Sequence, residues 1–188
     1  MGKLHFSDLK FNFISWLRLR TFRGSIKILL RLLAPTSDDV ILDVGAGTGV
    51  IANEVSKLCD DVFALEPRPD RVEYIKRKFP EVKAFDGVAE IIRFPESYFT
   101  KVYCISSFHH FKDQGLAIAE LHRVLKPGGL LLIHEFQPKS SIAKVEKRQS
   151  GSHFETPGAL QEKCEAVGFK KSGFEEASHG YFLLMQKT

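Results

Sequence analysis

Residues 40–50 read VILDVGAGTGV, a run of apolar, β-prone side chains that ends in three glycines at alternate positions. No other feature constrains the fold as much. Val40 to Val44 predicts a strand, and Gly45, Gly47 and Gly49 allow backbone conformations that a Cβ would forbid. The following stretch, 48 to 58, predicts a helix with Ile51, Val55 and Leu58 on one face. A strand that turns through glycines into a helix lets a ligand come close to the backbone.

The rest of the chain continues this alternation. Further strands are predicted at 62–65, 82–85, 101–106 and 130–135, and a closing pair at 169–174 and 181–185, joined around Gly180 as an antiparallel hairpin. Between them lie helical patterns. Asp70 is placed to cap a helix that runs to Phe79 and stops at Pro80. Asp113 caps another, with Ala117, Leu121, Val124 and Leu125 facing inward, and Lys126-Pro127-Gly128-Gly129 stops it. Thr156 followed by Pro157 opens the last helix, whose stripe is Leu160, Cys164 and Val167. Residues 137–155 are polar and weakly periodic, and predict a mobile connection with at most one helical turn. Strand and helix in alternation give an α/β fold with a mainly parallel sheet. At 188 residues and 44% apolar content, the chain supports one domain with a sizeable core.

The formal net charge of +4 is unevenly spread. Residues 1 to 33 hold seven Lys or Arg against Asp8 alone, a local +6, which leaves −2 for the remainder. Phe6, Phe11, Phe13, Trp16, Leu17 and Phe22 interleave with these cations. Residues 1–34 therefore read as a basic amphipathic cap or arm on the domain formed by 35–188. Such an arm suits capping, phosphate contact or peripheral contact with anionic lipid. Cys59, Cys104 and Cys164 are odd in number and far apart, which argues against a disulfide framework or zinc site and for a reducing compartment. No apolar run reaches the roughly 20 residues of a membrane-spanning helix. A soluble, cytoplasmic protein is expected.

The glycine spacing narrows the ligand. Dinucleotide-binding turns read G-x-G-x-x-G, whereas this one is Gly45-x-Gly47-x-Gly49, one residue shorter, which disfavours NAD. Glu66 closes the second strand 21 residues after Gly45, where a carboxylate suits both hydroxyls of a ribose and would repel a 2′-phosphate.

On these residues, residues 25 to 187 resemble the class I AdoMet-dependent methyltransferases, particularly the small-molecule branch with the ubiquinone and menaquinone biosynthesis type enzymes. "GVAEIIRFPESYFTKV" (87–102), "FHHF" (108–111) and "ELHRVLKPGGLLLIHEF" (120–136) are similar to further segments of that family. The resemblance implies a Rossmann-like three-layer αβα sandwich with seven strands in the order 3-2-1-4-5-7-6, strand 7 antiparallel. It implies S-adenosyl-L-methionine as cofactor and S-adenosyl-L-homocysteine as product. The cofactor site it implies comprises Asp43, Gly45, Ala46, Gly47 and Gly49 at the turn, Glu66 on the ribose, Asp86, Val88 and Ala89 around the adenine, and Ser106 at the end of the fourth strand. Val88 stands where many members carry Asp, which leaves Asp86 or the Ala89 backbone for the adenine amino group. Thr100 replaces another usual Asp and is expected to affect only the start of its strand.

Methyl transfer asks the protein for alignment, exclusion of water and, for some acceptors, removal of a proton. His109 and His110, which follow the fourth strand, are the candidate catalytic bases. His134 with Glu135, and His153, are alternatives, as is catalysis by proximity alone. No metal is expected from the His and Cys spacings. Trp16, Arg20 and His134 are the candidate acceptor-binding residues, with Phe11, Phe13 and Arg18 beside them. A small-molecule acceptor is favoured, methylated at O, N or C, with a nucleic acid or protein acceptor left open. The rival of a different class is a catalytically silent AdoMet-binding module that regulates a partner.

Overall fold

The computed structural model describes residues 6–21, 23–178 and 180–188, and within them the side chains of 6–8, 18–21, 149 and 150 are not described. Seven strands form one sheet in the order β3-β2-β1-β4-β5-β7-β6, the order the resemblance implies. They are β1 (Val40–Val44), β2 (Asp61–Glu66), β3 (Lys83–Asp86), β4 (Phe99–Ile105), β5 (Leu125–Phe136), β6 (Phe169–Ala177) and β7 (Gly180–Lys187). β1 to β5 pair in parallel, and β7 runs antiparallel to both β5 and β6.

Burial follows position in the sheet. β1, β4 and β7 are almost continuously buried, as central strands covered on both faces must be. β6, at one edge, exposes Lys170, Lys171 and Ser172, charges and a polar group of the kind that discourage further pairing. Each face of the sheet carries its own apolar layer. Leu42, Cys104, Leu121 and Ile133 belong to one, and Ile41, Tyr103, Leu132 and Phe182 to the other. Their alternation along β1, β4 and β5 is the two-residue period of a strand. The three cysteines are buried and free of disulfides.

Helices α1 (Phe6–Thr21) and α2 (Arg23–Leu33) precede the sheet, followed in order by α3 (Val50–Val55), α4 (Pro69–Lys78), α5 (Gln114–Val124), α6 (Ser141–Ser150) and α7 (Pro157–Glu165). α2 buries Ile26, Leu29 and Leu33. α1 docks on α4 through Tyr74, whose ring lies 5.2 Å from that of Phe11 and whose hydroxyl donates to Asn12 Oδ1 at 2.9 Å. None of the described helices is long and apolar enough to cross a membrane.

Several local expectations hold in atomic detail. Asp113 caps α5, accepting from the Leu116 amide at 2.9 Å, and Thr156 caps α7, accepting from Ala159 at 3.3 Å with Pro157 in the first turn. Thr100 does sit at the start of β4, where its hydroxyl donates to Asp39 Oδ1 at 2.7 Å and accepts from the Val40 amide at 3.0 Å. Lys101 Nζ completes that cluster at 2.6 Å from Asp39 Oδ2. Burial alone would raise the Asp39 carboxyl, but hydrogen bonds from Lys101, Thr100 and Thr36 outweigh it and hold the pKa below its ordinary value.

Others are corrected. The helix after the glycines begins at Val50 and ends at Val55, so Leu58 is half exposed instead of buried. Asp70 does not cap α4. Arg68 holds the cap position without a side-chain bond, Pro69 opens the helix, and Asp70 in the first turn binds the Arg68 guanidinium at 2.6 Å. Residues 137–155 contain a ten-residue helix, α6, begun by Ser140, whose Oγ accepts from Ala143 at 3.1 Å, and closed by Gly151 in a left-handed conformation. Ala143 is buried there while most of its described neighbours are exposed. A helix that touches the body along so narrow a line leaves little apolar periodicity to read.

Candidate functional site

The glycine turn lies where β1 ends, at the carboxyl edge of the parallel strands, the edge at which open α/β sheets bind ligands. Gly45, Gly47 and Gly49 all have left-handed φ, of 77°, 62° and 72°. Space excludes side chains as firmly as φ does. A Cβ on Gly45 would stand 2.5 Å from Ser107 Cβ, and one on Gly49 would stand 2.7 Å from Ile75 Cγ1. The amides of Gly45 and Ala46 both donate to Leu65 O, at 2.8 and 3.1 Å, which ties the turn to the end of β2. One residue later Glu66, 2% exposed, accepts from the Gly47 amide at 2.8 Å through Oε2. Its Oε1 accepts at 3.3 Å from both the Arg68 amide and Arg71 Nη1.

A pocket of about 400 Å³ opens beside this turn. Of the residues expected to hold a cofactor, Gly45, Glu66, Val88 and Ala89 line it. Ala46, Gly47 and Gly49 shape the turn without lining the pocket. Asp43 lies at the end of β1, 2% exposed, beside the fully buried Tyr103. Burial first, and the Asp43 carboxylate second, push the Tyr103 phenol well above its ordinary value. Asp86 is exposed at the end of β3 and is not part of the lining. Ser106 faces a different cavity, and Ser107 takes the place on this pocket. Sequence reasoning did not single out Ser107, Arg71 or Gly87. A Cβ on Gly87 would lie 2.7 Å from Leu65 Cδ1, but that crowding depends on where β2 and β3 run side by side.

The second cavity, about 800 Å³, is walled by Ser106, His109, His134 and Phe136 from the sheet edge, by Gly24, Ser25 and Ile28 of α2, and by Ile142 and Glu146 of α6. His110 lines both cavities, so they adjoin at this residue. His109 is 3% exposed, with Nδ1 2.7 Å from Glu135 Oε1 and its backbone amide 2.9 Å from Glu135 Oε2. Glu135 is completely buried and also accepts from the Phe136 amide at 2.7 Å. The His109 ring stacks on Phe154 with centroids 4.4 Å apart. These contacts fix the ring and place its Nδ1 against the carboxylate. His110 is exposed, with Nδ1 3.0 Å from Ser152 Oγ.

His134 is 3% exposed, packs on Phe182 and has Nδ1 2.9 Å from Ser106 Oγ. Burial, helped by neighbouring His109, lowers its pKa from 6.5 to about 4, so it is neutral at physiological pH. Trp16 is 54% exposed on α1, stacked on Phe13, and borders neither cavity. α2, not the aromatics of α1, walls the second cavity. The side chains of Arg18 and Arg20 lie outside the described residues, as does Phe22. His153 is exposed on the loop before α7, 3.6 Å from Glu155, and lines neither cavity.

Comparison with known proteins agrees with the fold. The methyltransferase domain family matches residues 42–133, from the middle of β1 to β5. The chain is 32% identical over 106 residues to the demethylmenaquinone methyltransferase of Chlorobaculum tepidum, a match covering 55% of this chain and 44% of that one. It is 31% identical over 127 residues to the uncharacterized methyltransferase YodH of Bacillus subtilis, covering 65% and 54%. The chain thus spans about half the length of the curated relatives it matches. Among solved structures, a SAM-dependent methyltransferase from Aquifex aeolicus superposes with a TM-score of 0.78 at 19% identity, covering 98% of this chain and all of that one. The methyltransferase in complex with the Trm112 activator of Haloferax volcanii superposes with a TM-score of 0.81 at 13% identity, covering 99% of each. Residues 42–133 thus match the methyltransferase domain family, and the glycine turn and the sheet order with its reversed seventh strand agree with that match.

Proposed function

We propose that the chain transfers the methyl group of S-adenosylmethionine to a small molecule held in the second cavity. The observation that carries this reading is the adjacency of the two cavities at His110. A group donated from the first needs only to cross that boundary. AdoMet, when bound, supplies a sulfonium-activated methyl group; the residues here are suited to hold it. The turn has no Cβ to obstruct close approach, Glu66 presents a buried carboxylate to the ribose hydroxyls, and Leu65, Val88 and Ala89 offer apolar surface to a flat base. Asp86 stands outside that wall, which favours the Ala89 backbone for the adenine amino group.

His109 and His110 are the groups in place to activate an acceptor. His134, neutral and buried, helps shape the cavity. The relative named for demethylmenaquinone supports a ring-bearing acceptor, which Phe136, Ile28 and Ile142 would suit. A regulatory module that binds AdoMet without turning it over is the rival, and the complex of a structural neighbour with an activator keeps a partner-dependent form in view.

Calorimetric titration with AdoMet, S-adenosylhomocysteine and NADH tests the reading. Micromolar binding of the first two without NADH is expected. Absence of binding by the chain alone would refute the cofactor assignment for the isolated protein. Binding without methyl transfer to any of a panel of labelled-methyl acceptors would favour the regulatory module.

A further inference from the structure

His109, His110 and Glu146 converge on the second cavity from two segments that the chain separates by more than thirty residues. One ligand-type atom from each lies within 4.8 Å of the other two, and all three residues line that cavity. Their environment grades from buried His109 through partly buried Glu146 to exposed His110. The geometry points to a first-row divalent cation, of which Zn²⁺ is the natural choice, held by His109, His110 and Glu146 at the wall of the acceptor cavity.

The donor set carries the assignment. Two imidazoles and one carboxylate are the ligands of catalytic zinc sites, which keep a further position open to water or substrate. A general base would need only one nitrogen at this wall. Donors around one zinc stand roughly 3.3 Å apart, given Zn–N and Zn–O bonds of about 2.0–2.2 Å. The three donors lie within 4.8 Å of one another, so binding would draw the His110 and Glu146 side chains inward while His109 stays fixed.

His109 is fixed in the way a metal ligand requires. Its Nδ1 lies 2.7 Å from Glu135 Oε1, so the proton resides on that nitrogen and Nε2 keeps its lone pair for a cation. A buried carboxylate behind a ligating imidazole sets the tautomer, orients the ring and raises its basicity. Glu135 is in turn held by the His109 and Phe136 amides. For His110, Nδ1 lies 3.0 Å from Ser152 Oγ, and Nε2 is the nitrogen it would offer to the cation.

The cation's open positions favour an acceptor that offers oxygen, a hydroxyl above all, and would ease loss of its proton near neutral pH. The location of the site beside the acceptor rests on the methyltransferase reading, whereas cation binding itself does not.

The test uses the full chain without a histidine tag, stripped with EDTA and dialysed. Titration with Zn²⁺ by calorimetry is expected to show one equivalent bound with micromolar or tighter affinity, and Co²⁺ to develop visible absorption of a low-coordinate site. Glu146→Gln and His110→Ala alter accessible side chains, so the fold survives, and each is expected to weaken Zn²⁺ binding at least tenfold. Glu135→Gln, which touches no cation, is expected to weaken it by about 10- to 100-fold. Absence of a stoichiometric site, or binding unchanged in both Glu146→Gln and His110→Ala, would overturn the proposal. AdoMet titrated into the same stripped protein separates the two readings. AdoMet binding without Zn²⁺ binding removes the metal site alone, and Zn²⁺ binding without AdoMet binding removes the cofactor reading alone.

Discussion

The Gly47 amide donates to Glu66 Oε2 at 2.8 Å, a bond across 19 residues that fastens the turn after β1 to the end of β2. The same carboxylate receives the Arg68 amide and Arg71 at the start of α4. Glu66 thus braces the pocket wall as well as facing its interior. Its two roles separate on substitution. Glu66→Gln keeps one oxygen for Gly47 but turns its NH2 toward the Arg68 amide and Arg71, so a fall in melting temperature reports the brace, while under the proposed function the lost charge weakens the hold on the ribose hydroxyls. AdoMet affinity is expected to fall at least tenfold by calorimetry, and an unchanged affinity would remove Glu66 from the cofactor site.

Gly45 is constrained twice, by a φ of 77° and by Ser107 Cβ at 2.5 Å from any Cβ placed there. Gly45→Ala should destabilise the protein by about 2–4 kcal/mol, combining left-handed strain of roughly 1–3 kcal/mol with the clash. Adding Ser107→Gly should restore part of the loss, because the clash goes while the strain stays. Urea unfolding of the single and double variants measures this coupling, and strict additivity would mean that the two residues do not meet.

His134 makes stability depend on pH. Its folded pKa is about 4 against an ordinary 6.5, so between those values the unfolded chain binds the proton and the folded chain does not. Stability is therefore fully present above pH 6.5 and declines as pH falls toward 4, by about 3 kcal/mol at the limit. The urea midpoint at pH 7.5 and at pH 5 should differ less in His134→Gln than in the native chain. Equal differences would place the titration elsewhere.

The cap on α5 offers a test of local structure at a residue that lines neither cavity. Asp113→Ala removes the bond from the Leu116 amide, 2.9 Å long, and should cost about 1 kcal/mol. Asp113→Asn should recover most of it. Thermal melts of the two variants compare these costs directly.

Much of this architecture is legible along the chain because its causes are local. A two-residue apolar period marks a strand, and Asp113 and Thr156 mark helix starts by the amides they accept. Three alternate glycines mark a turn without side chains, whatever surrounds it. Where those local signals are weak, reading fails. α6 touches the body along a narrow line, and its polar sequence resembles a loop. Asp70 has the chemistry of a cap, but Pro69, already fixed at a helical φ, starts α4 earlier.

The site's chemistry belongs to the other category. Sequence alone determined the glycine turn, the Glu66 position at the end of a strand and the candidate histidines. It did not determine that Ser107 would fill the space above Gly45, that Glu135 would lie 2.7 Å from His109, or that Glu146 would reach the same wall. Those meetings depend on parallel register, in which Ile105 pairs with His134 and so sets the segment after β4 beside the end of β5. A strand's side chains alternate by covalent geometry alone, but which ones face each other is fixed only when neighbouring strands are hydrogen-bonded in one register.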